Sequence, residues 1–240
     1  MVLLGWLSTG SMNNGRYWHT ASVLTNGKVL VTGGWGSSGD SVNSTELYDP
    51  STGTWTMTGS MNNARYLHTA SVLTNGKVLV TGGRGSSVDS VNSTELYDPS
   101  TGTWTMTGSM NNARSLHTAS VLTNGKVLVT GGFGNSATVN STELYDSSTG
   151  TWTMTGSMNN GRYQHTASVL TDGKVLVTGG RGNSGLSNST ELYDPSTGTW
   201  TMTGSMNNGR NQHTASVLTN GNVLVTGGYH VIALNSSELY

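Results

Sequence analysis

The side chains able to do chemistry recur in this sequence on a fixed step. His19, His68, His117, His165 and His213 stand 49, 49, 48 and 48 residues apart. Imidazoles gathered around an axis at that spacing have the donor set for a transition metal, although five equivalent ligands suit no common coordination geometry. An arginine and a glutamate keep the same step: Arg16 and Glu46, Arg65 and Glu95, Arg114 and Glu143, Arg162 and Glu191, Arg210 and Glu238. A catalytic acid or base needs a unique setting. Five equivalent pairs instead predict a repeated structural ion pair, so the reading is no metal, no cofactor and no enzyme. With no cysteine in 240 residues, thiolate chemistry and disulfides are excluded. The sequons at Asn43, Asn92, Asn140, Asn188 and Asn235 are read as loop-closing residues, because the opening MVLLGW lacks the basic start and cleavage site of a secretion signal.

What positions these groups is one unit written five times. HTASVLTNGKVLVTGG begins at His19, His68 and His117, and returns with single changes at His165 and His213. HTASVL and KVLVT read as strands a and b joined by Asn26-Gly27, a two-residue hairpin turn with positive φ at both positions. The glycine pair 33–34 ends strand b. STELYD, 44–49, is strand c; PSTG turns the chain, with Gly53 at the exit; TWTMT, 54–58, is strand d. No segment has helical periodicity. Such a sheet cannot bury its apolar residues alone, and radial repetition packs each sheet on the next. Small Thr20, Ala21 and Ser22 suit an inner strand, while Trp55 and Met57 suit the outer one; Met57 and Met61 are expected to fill the core or the space between blades.

Paired glycines followed by a Tyr and a Trp with six residues between them resemble the kelch repeat: Tyr48 and Trp55, Tyr97 and Trp104, Tyr145 and Trp152, Tyr193 and Trp200. The Arg16-x-x-His19 step is similar to the same family. The resemblance covers essentially the whole chain. It implies a five-bladed β-propeller with four antiparallel strands per blade, and a protein-interaction role more often than an enzymatic one. The expected layout is a single domain over 1–240, with blades at 19–58, 68–107, 117–155, 165–203 and 213–240. Residues 5–10, whose GWLSTGSM continuation matches strand d, are expected to complete the fifth blade, setting Trp6 beside Tyr240 and closing the ring as a monomer. Copper-oxidase kelch chemistry needs a cysteine that this chain lacks, and DPSTGTW does not match the Asp-box of sialidase-like propellers.

The copies differ mainly in the d–a and b–c loops, which an antiparallel meander places on one face. The variable residues Tyr17, Trp18, Trp35, Tyr66, Arg84, Phe133, Tyr163, Arg181, Tyr229 and His230 are aromatic- and arginine-rich, as binding hot spots are. They are the candidate site for an unidentified protein or glycan ligand. Drift in tolerant loops, or a regularised repeat without an evolved ligand, explains the same pattern. A formal charge of −1 gives no footprint for nucleic acid, and no apolar run spans a membrane. Nothing assigns a compartment.

Overall fold

The computed structural model describes residues 5–240. It is all-β: five antiparallel sheets arranged as a five-bladed β-propeller. In blade 1, strand a (Thr20–Val23) pairs with b (Val29–Thr32), b with c (Thr45–Asp49) and c with d (Thr54–Met57). The register sets Val31 opposite Glu46 and Tyr48 opposite Trp55. Blades 2, 3 and 4 repeat the order and register. Strand a of each of blades 1–4 packs on strand a of the blade that follows, which places the small Thr-Ala-Ser stretch innermost, as its size requires.

The a–b turn differs from its sequence reading. Gly27 has φ +82°, whereas Asn26 is not left-handed. Leu24 N–H donates to Lys28 O, Gly27 N–H to Leu24 O, and Lys28 N–H to the Asn26 side chain. This is a three-residue loop with one left-handed glycine rather than a two-residue turn with two left-handed residues. Asn26 uses its side-chain oxygen to cap the loop instead of adopting the rarer backbone.

Apolar side chains fill the seams between blades. Leu24 and Leu30 of blade 1 pack with Val78 and Tyr97 of blade 2, with Leu47, Val72 and Trp104 around them; analogous clusters join blades 2 to 3 and 3 to 4. Each seam also carries a polar stitch. Trp104 Nε1 donates to Gly59 O across 2.9 Å, and the Thr58 hydroxyl bonds the Tyr97 hydroxyl. Met61, Met110 and Met158 are buried as expected, but Met57 is about half exposed. Strand d lies at the outer rim, where its Met faces water.

The fifth blade departs from the closure expectation. Its sheet has three strands, Thr214–Val217, Val223–Thr226 and Ser237–Leu239. Residues 5–10 do not pair with it. Their bonds go instead to blade 1: Gly10 N–H to Gly53 O, Trp55 Nε1–H to Gly10 O, and the Thr9 hydroxyl to the Tyr48 hydroxyl. These are the contacts that a strand d makes with the blade after it. The contacts it would make within its own sheet are missing, Trp6 is fully exposed, and Tyr240 is 43% exposed where Tyr97, Tyr145 and Tyr193 are at 0%. The physical reason is that a strand d belongs to two neighbours through separate sets of bonds, and here only one set is formed.

Candidate functional site

Arg65 shows how the site is held. Its guanidinium is fully buried and donates to Gly82 O, Ser93 O, the Ser93 hydroxyl and Glu95 Oε1. Glu95 also accepts from Asn62 N–H, the Asn62 amide and Asn63 N–H. Burial opposes ionisation of Glu95, but these N–H donors and Arg65 outweigh it and keep the carboxyl below its ordinary value. The same ion pair recurs in all five blades, including Arg16 with Glu46 at 2.8 Å. The expected repeated structural pair is present, and it lies within each blade. Its job is to clamp the incoming Asn-Asn-x-Arg segment onto strand c, which aims the d–a loop at the ring mouth.

Just past the clamp the two variable loops meet. Tyr17 pairs with Trp35 in a short ribbon, and single bridges join Tyr66 to Arg84, Ser115 to Phe133, Tyr163 to Arg181 and Asn211 to Tyr229. The two sets of residues that vary between copies are therefore cross-strand partners, one couple per blade. The sequence placed them on one face but did not reveal that they pair.

The next residue inward is left-handed in every blade: Trp18, Leu67, Leu116, Gln164 and Gln212 have φ between 53° and 56°. Non-glycine residues seldom adopt this conformation. A chain of backbone bonds compensates: Leu67 N–H donates to Trp18 O, Leu116 to Leu67, Gln164 to Leu116 and Gln212 to Gln164. These five side chains, with His165 and His213, line a cavity of about 340 Å³. Nothing in the sequence signalled the left-handed backbone, because Trp, Leu and Gln all avoid it.

The aromatic residues gather at blades 1 and 2. Trp18 stacks on Tyr66 with ring centroids 5.6 Å apart, Trp35 meets Tyr66 edge-on at 4.9 Å, and Tyr17 lies 4.5 Å from Trp18. Tyr17 and Trp18 are about half exposed, but Tyr66 is buried. Tyr66 is thus a support beneath the patch and is not itself presented, which corrects its place among the binding residues. A second group sits further round, where Arg84 lies 5.8 Å over the Phe133 ring and Phe133 meets Tyr163 edge-on. Arg181 is exposed and adjoins the second group as the cross-strand partner of Tyr163, and Tyr229 is exposed opposite Asn211; His230 Nδ1 is bonded to Gly209 O.

The histidines do not converge on a centre. His68 Nε2 bonds the Thr20 hydroxyl, His117 bonds Thr69 and Thr81, His165 bonds Thr118 and His213 bonds Thr166, each across a blade seam. Burial pushes His68 and His165 down to about 3, with the neighbouring arginine adding to the effect. Among the described residues no three His, Asp or Glu side chains are grouped as a metal requires. The sequon asparagines close loops as expected: the Asn43 amide donates to Met61 O, Asn92 to Met110 O and Asn140 to Met158 O.

Comparison with known proteins agrees with this architecture. The family described as the KLHDC2/KLHL20/DRC7 Kelch-repeats domain matches residues 18–228. The solved structure titled "Structure of YjhT" is similar in fold, with a TM-score of 0.76 at 19% identity over 93% of this chain and 81% of the other. No curated protein matches. Kelch propellers generally serve as protein-interaction modules and are typically non-catalytic, and no helix among the described residues is long and apolar enough to cross a membrane. By its repeated glycine, tyrosine and tryptophan positions, its blades and its matching family, this chain belongs to the Kelch-repeat family.

Proposed function

We propose that the chain is a non-catalytic binding scaffold whose partner is a protein docking on the b–c/d–a face. The supporting observation is the half-exposed Tyr17–Trp18 pair, backed by buried Tyr66 and by Trp35. Exposed aromatics held rigid from beneath lose little entropy on contact, which is what a hot spot needs. The backbone under Trp18 is left-handed and hydrogen-bonded to the next blade, so the ring is presented in one orientation. The opposite face offers the nearly invariant DPSTG and TNGK turns.

Peptides selected by display against the wild-type chain test the assignment. Affinity should fall about 30-fold or more when Trp18 and Tyr17 are both changed to Ala. Changing Lys77 and Lys126 on the other face should leave it unaltered. Binders that retain full affinity for the Tyr17→Ala, Trp18→Ala variant would place the interaction elsewhere.

A further inference from the structure

Blade 4 differs from its sisters at one corner between its d–a and b–c loops. Its b–c loop, 181–189, has the length of the blade 3 loop, 133–141, and the same backbone bonds hold both. Val139 N–H donates to Gly132 O, and Ser187 N–H to Gly180 O, each at 2.9 Å. The position is valine in blades 1, 2 and 3 (Val42, Val91, Val139) and serine only in blade 4. In those three blades a Cβ on the facing glycine (Gly36, Gly85 or Gly134) would meet a valine methyl at 2.8, 3.7 or 3.4 Å. At Gly182 the same construction meets only the Gly161 carbonyl, and no side chain within 4 Å. Gly161 itself stands where blades 2 and 3 have Ala64 and Ala113. Blade 4 alone therefore has serine in place of the apolar side chain together with glycine in place of alanine. A Cβ at Gly161 would meet Thr138 and Val139 of blade 3, so the serine is the exchange that bears on this corner. Between the 159–162 segment and the 182–189 loop lies a cavity of about 420 Å³, within the ~300–1,000 Å³ of small-ligand sites.

The lining sets the chemistry. Arg162 is engaged by Glu191, Gly179 O and Ser189, and Glu191 is further occupied by Asn159 and Asn160 N–H. Neither charge is free for an ionic ligand. The amides are fixed by one end. Asn159 Nδ2 donates to Glu191, and Asn188 Nδ2 to Met206 O, which leaves each Oδ1 as an oriented acceptor. Asn183 Oδ1 accepts from the Thr138 hydroxyl, which leaves its Nδ2 as an oriented donor. In blade 3 the Ser141 hydroxyl occupies Asn112 Oδ1. Both hydroxyls also accept from the blade's arginine, but in blade 4 the corresponding Ser189 hydroxyl is bonded to Ser187 in place of the asparagine, so Asn160 keeps its amide for another partner.

We propose that this cavity is a binding site for a neutral polyhydroxylated ligand of monosaccharide size. A sugar hydroxyl donates and accepts at once, so neighbouring hydroxyls match fixed amide acceptors beside a fixed amide donor, while the lack of a free charge disfavours carboxylates, phosphates and cations. The site is distinct from the aromatic patch on blades 1 and 2, and either can fail without the other.

Titration of the ¹⁵N-labelled chain with glucose, galactose, mannose and N-acetylglucosamine tests it. At least one sugar should produce saturating amide shifts confined to Asn160, Gly185, Ser187 and Ser189, with millimolar affinity. Ser187→Val restores the residue its sisters carry and should abolish saturation while leaving the rest of the spectrum unchanged. Val139→Ser should install a second response in blade 3. Absence of a saturating shift with all four sugars would overturn the proposal, as would shifts that persist in Ser187→Val.

Discussion

Glu95 and Asp98 lie three residues apart on the same strand, each paired with a cation, and their energetic roles are opposite. Glu95 and Arg65 have no exposed side-chain surface, whereas Lys77 and Asp98 are both partly exposed. Removing one partner of a buried pair leaves an uncompensated charge in a low dielectric, at a cost of about 3–5 kcal/mol. Glu95→Gln should therefore shift the urea midpoint strongly downward, and Lys77→Ala should barely move it. Equal effects of the two substitutions would show that the clamp is not what holds the d–a loop. At this scale the pairing of Arg with Glu was legible, because five coincident copies leave little else for them to do. Exposure was not legible. Tyr17 and Tyr66 occupy equivalent positions, yet Tyr66 is covered because Trp18 and Trp35 happen to be its neighbours, and a linear sequence does not say which blade's residues overlie the next.

Strands a to d were readable in order and nearly to the residue, because a short alternating run bounded by Asn-Gly, Gly-Gly and Pro-Ser-Thr-Gly admits few alternatives. The glycines carry two different requirements, which the letters do not separate. Gly27 is left-handed with open space around it, so Gly27→Ala meets only backbone strain, roughly 1–2 kcal/mol. Gly33 is also left-handed, but a Cβ there would meet the Arg65 carbonyl at 2.6 Å and His68 Cε1 at 2.9 Å. Gly33→Ala must push blade 2 away from blade 1 and should lower stability considerably more than Gly27→Ala. Thermal unfolding of the two variants gives the comparison; equal losses would mean that the glycine pair serves only the turn. The extra ribbon that joins the d–a and b–c loops escaped the sequence reading because its strands are one or two residues long, too short for any period to show.

Over the whole molecule, blade order was legible and so was the likeness of residues 5–10 to a strand d, but the segment forms no strand and bonds blade 1 instead of the fifth blade. Similarity to TWTMT tells what a segment is, and its docking on blade 1 is decided by Thr9, Gly10 and Asn13 finding Tyr48, Gly53 and Glu46. The histidine stitches give the assembly a shared response to acid. His68, His117, His165 and His213 are buried between blades. Burial first, then the adjacent arginine, depresses all four: to about 3 for His68 and His165, to about 4 for His213, and well below the ordinary value for His117. Above an unfolded pKa of about 6.5 both states are neutral and nothing is lost. As pH falls below it, the unfolded chain takes up protons that the folded chain refuses, so stability declines by up to about 1.4 kcal/mol per imidazole for each pH unit until the folded values are reached. Glu95, whose carboxyl is held below its ordinary value, adds to the loss in the same direction at lower pH. Urea unfolding should thus weaken steeply between about pH 6 and pH 4, with protons taken up on unfolding, and His117→Gln should make that dependence shallower by close to one proton. A stability profile flat across this window would mean that the imidazoles reach water in the folded ring, and that the seams are not the dry, threonine-stitched interfaces described above.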